Sequence, residues 1–144
     1  MKVTIAYESK YGNGKKCMEF LKEALSKEGH TVDLFSVRDK KPSGIGEADL
    51  YVFSAPTQIG NAAGKMRKFI RKAEFPTQGA KYALVTTCMD PKKLKSLHTM
   101  EGLLSPKGLQ KAADGLVIKV TGMKGPCEED HEARLADFAK KVTA

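Results

Sequence analysis

At 144 residues with 41% hydrophobic side chains, the chain reads as a single domain over residues 1–144, burying roughly two-thirds of its unfolded surface without staples. No apolar run approaches the ~20 residues that cross a bilayer, and Val3 to Tyr7 is too short for a signal-peptide core, so the expected compartment is the cytoplasm. The net charge of +8 bears on partners rather than on fold, with 14 Lys and Arg against 8 Asp and Glu in residues 1–72 and 11 against 9 in residues 73–144.

The pattern alternates strand and helix five times. A first strand, 2–8, contains Val3, Ile5, Ala6 and Tyr7. A helix at 14–28 follows, with Cys17, Met18, Phe20, Leu21, Ala24 and Leu25 on one face and Gly29 placed to stop it. A second strand, Thr31 to Val37, alternates apolar and polar positions as an edge strand does. Residues 38–47, with Pro42, Gly44 and Gly46, read as a loop. The third strand, Asp49 to Ala55, carries Leu-Tyr-Val-Phe and suits burial on both faces, with Pro56 ending it.

A helix at 62–73 sets Ala62, Met66, Phe69, Ile70 and Ala73 at helical spacing. Strand four is Tyr82 to Thr87. Residues 91–114 read as loop plus helix, interrupted by Pro106 and Gly108. Strand five is Leu116 to Val120, extendable to Met123. A last helix, 129–142, buries Leu135, Phe138, Ala139 and Val142.

Five strands with interleaved helices imply an α/β sandwich: a parallel sheet covered on both faces and joined by right-handed crossovers. The doubly wound order 2-1-3-4-5 is favoured at this length. Its ligand crevice lies beyond the C-terminal strand ends, where the winding reverses between strands one and three. The loops after strands one, three and four are therefore where a site is expected.

The loop after strand one is Ser9, Lys10, Tyr11, Gly12, Asn13 and Gly14, opening straight into a helix. A helix start offers unpaired amides and the positive end of the dipole, so it attracts a phosphate. It is neither a Walker A loop nor a three-glycine dinucleotide fingerprint. The run Tyr-Glu-Ser-Lys-Tyr-Gly-Asn-Gly resembles the phosphate loop of the flavodoxin family, usually Ser/Thr-x-Thr-Gly-Asn-Thr. Ser9, Gly12 and Asn13 match that pattern, whereas Tyr11 and Gly14 replace its two threonines. The resemblance implies that hydroxyls and amides of this loop hold the phosphate of FMN.

The loop after strand three, Ser54 to Ala62, resembles the family's second flavin loop. The resemblance implies that Pro56, Thr57, Gln58, Ile59, Gly60 and Asn61 face the ring system. Gly60 is free to adopt φ > 0. No aromatic is present there, and Ile59 is the apolar substitute. The loop after strand four supplies Thr87, Cys88, Met89 and Asp90, matched by position, with Met89 able to pack on a flavin through its thioether.

Three cysteines, Cys17, Cys88 and Cys127, are odd in number and widely spaced, with no CxxC and no zinc spacing. Neither a disulfide framework nor a metal site is indicated; Cys88, at the crevice end of the sheet, reads first as a small buried hydrophobe and second as a redox or adduct site, while Cys17 on the core face of the first helix and Cys127 at a helix entry read as structural. His98 reads as a surface residue. Lys65, Arg67, Lys68, Arg71 and Lys72 follow the second loop. With Lys10, Lys15, Lys16, Lys92, Lys93 and Lys95 they suggest a basic collar. Familiar flavodoxins are acidic, so this chain is expected to meet an acidic redox protein or an anionic substrate. No nucleic-acid reader motif is present, no membrane partner is indicated, and a monomer or weak dimer is expected.

The resemblance implies an FMN-binding electron carrier with no catalytic residues of its own. A flavin-dependent NAD(P)H:quinone reductase or porphyrinogen-type oxidase is the alternative. A flavodoxin-fold interaction module that has lost FMN is the second alternative.

Overall fold

The computed structural model describes residues 1–144. β1 (Lys2–Tyr7) leads to α1 (Asn13–Lys27), β2 (Thr31–Ser36), β3 (Leu50–Gln58), β4 (Asn61–Ala62), α2 (Gly64–Lys72), β5 (Lys81–Cys88), α3 (Lys95–Leu104), β6 (Gln110–Lys111), β7 (Leu116–Lys119) and α4 (His131–Val142). The sheet runs β2-β1-β3-β5 and continues with β6 and β7, both pairing with β5. All these pairs are parallel. Counted as the five expected strands, the order is the doubly wound 2-1-3-4-5.

Two apolar layers cover the sheet. One face holds Val3, Ile5, Val52, Ala83 and Val85 beneath Met18, Leu21 and Leu25 of α1 and Leu135 and Phe138 of α4. The other holds Ala6, Tyr51, Phe53 and Leu84 beneath Met66 and Ile70 of α2 and Met100 and Leu104 of α3. The alternation along β3 explains this division: odd and even positions serve opposite layers, so Leu50 to Ala55 are all buried. α1 stops where expected. Gly29 takes φ +92°, its N–H donates to Ser26 O at 3.0 Å, and the N–H of His30 donates to Leu25 O at 3.2 Å.

The structure corrects two boundaries. β3 does not stop at Pro56; it continues to Gln58, turns through Ile59 and Gly60, and returns as β4, with Thr57 opposite Ala62. Proline is tolerated because it only accepts here: its carbonyl takes the N–H of Ala63 at 3.1 Å. The expected fifth strand forms as β7, but a short strand, β6, precedes it within the segment read as loop plus helix. β5 advances three residues from Tyr82 to Val85 while its partner advances five, from Lys111 to Leu116. The excess bulges out at Ala112 to Gly115. Within 91–114 the expected helix is α3, ended by Pro106 and by Gly108 at φ +81°.

Two polar links fix the strand ends that carry the loops. The carboxylate of Glu8, buried just past β1, accepts from Arg38 Nε at 2.7 Å, tying the ends of β1 and β2. Thr57 Oγ1 lies 3.0 Å from Thr86 Oγ1 and 2.7 Å from Ser96 Oγ, and the Thr86 hydroxyl donates to Ala55 O at 2.8 Å. This chain of hydroxyls joins β3, β5 and α3 below the second loop.

Removing a partner from a buried ion pair leaves an uncompensated charge, at a cost of about 3–5 kcal/mol when both groups are buried. The Arg38 side chain is 45% exposed, so screening lowers that figure. Arg38→Met is expected to destabilise the protein by about 2 kcal/mol at neutral pH. Urea unfolding measures it, and a midpoint equal to that of the parent chain would remove Glu8–Arg38 from the account.

Candidate functional site

The C-terminal ends of β1, β3, β5 and β7 open onto one cleft of about 590 Å3, within the range of cofactor sites. It lies at the switch point, where the chain leaves β1 toward β2 on one side and β3 continues on the other.

The loop after β1 forms the first wall. Gly12 stands at the start of α1 with φ +92°, and no side chain of that cap position bonds the helix. Ser9 serves instead: its hydroxyl accepts the N–H groups of Gly12 at 3.1 Å and Lys15 at 3.2 Å. The amides of Lys10, Tyr11, Asn13 and Gly14 find no acceptor in the protein. The first turn holds no acidic residue and contains Lys15 and Lys16. Every one of these features suits an anion at the helix start.

One buried side-chain oxygen, Ser54 Oγ, has no partner. It sits at the floor of this loop, where a Cβ on Gly14 would lie 3.7 Å from Ser9 Oγ and 3.8 Å from Ser54 Oγ. Those are ordinary contact distances, so the position accepts a larger residue.

The second wall is the β3–β4 hairpin. Its two central residues, Ile59 at φ +49° and Gly60 at φ +75°, give the pair of positive φ values of a type I′ turn. Gly60 takes this conformation without strain. Ile59 does not: a β-branched residue there costs about 1–3 kcal/mol. Its side chain is also fully exposed, so no apolar contact offsets the strain.

The third wall comes from Thr87, Cys88, Met89, Asp90 and Lys93, and the fourth from Val120 and Met123 after β7. Six large apolar side chains are exposed on the whole molecule, and four of them, Tyr11, Ile59, Met89 and Met123, line this cleft. Apolar surface concentrated around one concavity marks a place where an apolar group is covered.

Of the residues expected from the sequence, Ser9, Lys10, Tyr11, Asn13, Gly14, Pro56, Thr57, Gln58, Ile59, Gly60, Thr87, Cys88, Met89 and Asp90 line the cleft. Gly12 and Asn61 do not. Gly12 shapes the helix start, and the Asn61 carboxamide oxygen accepts the N–H of Ala62 at 2.9 Å within the hairpin. Glu8, Val120 and Met123 line it unforeseen, and Lys93 lines it as a member of the expected basic collar. Tyr11 brings an aromatic ring to the cleft from the first loop, with Lys10 Nζ 5.4 Å from its centroid.

The basic collar is thinner at the cleft than the sequence suggests. Lys10 and Lys93 line it together with Glu8 and Asp90. Arg67 is engaged elsewhere, donating to Ala62 O at 3.0 Å. His98 is exposed and outside the lining.

A family model described as a flavodoxin domain matches residues 4–119. The chain belongs to the flavodoxin family. Flavodoxins bind FMN and carry electrons. The fold comparison agrees. Oxidised flavodoxin 1 from Bacillus cereus superposes with a TM-score of 0.82 at 15% identity, covering 99% of this chain and 97% of that one. A flavodoxin from Streptococcus pneumoniae TIGR4 gives 0.79 at 18% identity, covering 99% and 98%. A flavodoxin from the domain Archaea gives 0.73 at 19%, covering both chains fully. Comparison with curated proteins returns no significant match. This flavodoxin has no helix long and apolar enough to cross a membrane.

Replacing the strained residue tests the reading of the hairpin. Asparagine tolerates positive φ, so Ile59→Asn is expected to stabilise the ligand-free flavodoxin by about 1 kcal/mol. Urea unfolding of protein stripped of small molecules reads this, and a destabilised variant would mean that Ile59 is not strained.

Proposed function

We propose that this chain binds FMN in the cleft and passes electrons between redox partners. The observation that carries the reading is the pairing of two unlike deficits at one switch point. Unpaired amides lie at the start of α1, and exposed apolar side chains surround the rest of the opening. FMN has the matching halves, a phosphate dianion and an apolar tricyclic ring.

The phosphate falls to the amides of Lys10, Tyr11, Asn13 and Gly14. The Ser9 hydroxyl keeps the loop in shape. Arg38 neutralises the one buried carboxylate nearby, Glu8, so the anion meets no free negative charge on the floor. Tyr11, Ile59, Met89 and Met123 cover apolar surface, and the hairpin backbone at Gln58 to Gly60 supplies polar groups at the ring edge. The bound flavin supplies the redox chemistry, accepting and donating electrons; the protein holds it and sets its potential. Lys10 and Lys93 favour a reduced, more negative flavin and so raise that potential.

The net charge of +8 supports a partner of opposite sign, an acidic redox protein or an anionic substrate, with association slowed by added salt. A reductase acting on a quinone is the second reading. It is favoured by Ile59 and Met89, which stand exposed where a clamping aromatic would close off the ring. Turnover of NAD(P)H with quinone by the isolated protein separates it from a carrier.

Titrating the stripped protein with FMN and with riboflavin isolates the phosphate. FMN is expected to bind at least about tenfold tighter, since bonds to a charged acceptor contribute about 1.5–3 kcal/mol. Gly14→Thr places a hydroxyl beside Ser9, at a position where a Cβ meets its neighbours at ordinary contact distance, and is expected to tighten FMN several-fold while leaving riboflavin unchanged. Equal affinity for the two flavins would overturn the assignment of the loop, and absence of both would overturn the cofactor.

A further inference from the structure

Cys17 and Cys127 are separated by 110 positions in the chain, yet their sulfurs lie 3.7 Å apart. Cys17 is buried on α1, one turn inside the end that faces the cleft. Cys127 is partly exposed and pairs with Val120 in an isolated bridge that closes residues 121–126 into a loop. That loop belongs to the cleft. Met123 lines it, and Gly125 packs so closely on the Asn13 carboxamide that a Cβ there would overlap it. Its base is held by the N–H of Thr121 donating to Pro126 O at 2.9 Å and the N–H of Glu128 donating to Lys119 O at 3.0 Å.

We propose that Cys17 and Cys127 form a reversible disulfide, made by exchange with a small-molecule disulfide, that ties the phosphate-loop helix to the loop carrying Met123. A disulfide places its sulfurs ~2.0 Å apart, so the pair has less than 2 Å to close. Nothing in the spacing of the cysteines suggests the pair, because the fold alone unites them.

The order of events follows from exposure. Burial pushes the Cys17 thiol up to about 12, and the charge of Cys127 and its hydrogen bond add to the effect. Cys17 therefore stays protonated at neutral pH and does not start the exchange. Cys127 gives up its proton, and its thiolate attacks one sulfur of the small disulfide, expelling one thiolate and forming a mixed disulfide. This step removes the charge and the hydrogen bond of Cys127, the two smaller causes of the upward shift at Cys17, and leaves burial as the one that remains. Cys17 then loses its proton, attacks Cys127 Sγ and expels the second thiolate. Two protein thiols are oxidised by two electrons, one small disulfide is reduced, and the two protons pass to the released thiolates. Closure restrains the loop against α1 and holds Met123 over the cleft, preorganising the site.

The test uses the full chain equilibrated with oxidised glutathione, then denatured, alkylated and mapped by peptide mass. A Cys17–Cys127 link is expected, with only Cys88 alkylated, and dithiothreitol restores three free thiols. Cys88→Ala keeps the link. Cys127→Ser, whose side chain is partly exposed and whose fold circular dichroism checks, abolishes it and leaves Cys17 free. Glutathione retained on Cys127, a link through Cys88, or three unreacted thiols would overturn the pair. The effect on the cleft rests on the FMN reading, and the oxidised protein is expected to release FMN at least threefold more slowly than the reduced one. An unchanged release rate overturns the coupling. Failure of FMN to bind at all overturns the cofactor reading, while the peptide map still decides the disulfide.

Discussion

The start of α1 is the constraint on which the cleft depends. A helix entered directly from a strand leaves its first amides unpaired, and this helix does little to repair that. Its cap residue is Gly12, no acid stands in the first turn, and Gly14, Lys15 and Lys16 follow. A glycine at the cap costs about a few tenths of a kcal/mol relative to serine or asparagine, and cations at the positive pole add about 0.3–1 kcal/mol each. Burial outweighs this deficit. Met18, Leu21 and Leu25 are wholly inside, each contributing about 1.5–3 kcal/mol. The helix therefore stands without a ligand, and its poor start persists as binding capacity.

The hairpin after β3 works by the same division of labour. Ile59 is strained and uncovered, while the residues beneath it are fixed. Thr57 is held by the hydroxyls of Thr86 and Ser96, and Ala63 by the carbonyl of Pro56. A turn of that conformation would be more stable with asparagine or glycine at its first central position. Local preference and observed structure agree throughout the sheet and its covering helices. They disagree at these two loops, where a binding site is expected to break local rules.

This contrast also explains what the sequence made legible. Strand and helix identity follow from periods of two and 3.6, so β1, β2, β5, α1 and α4 were readable to within a few residues. Strand order followed from the alternation and the handedness of crossovers. The loops after β1 and β3 were readable because short-range residue chemistry identifies them. Contacts between distant segments carry no local signal. Glu8 meets Arg38 only once β1 and β2 pair, and Val120 reaches the cleft by donating its N–H to Cys88 O at 3.0 Å, with a bridge to Cys127 closing the loop that carries Met123. Pro56 looked like a strand end because its missing N–H is visible in sequence, whereas the carbonyl bond that lets the strand continue is not. The bulge between β6 and β7 reflects a mismatch between β5 and a segment some 30 positions away, which no window of sequence contains.

The positive charge has a narrower role than its size suggests. Two lysines and two carboxylates line the cleft, and one of the carboxylates is neutralised by Arg38. Most of the 25 basic residues lie outside that lining, including all five on α2. At physiological ionic strength, exposed charges are largely screened beyond ~8 Å. Distant lysines therefore act weakly on a ligand inside the cleft but fully on the field that an approaching macromolecule meets. Charge on this surface shapes encounter, whereas the unpaired amides of one helix and the uncovered side chains of the cleft shape binding.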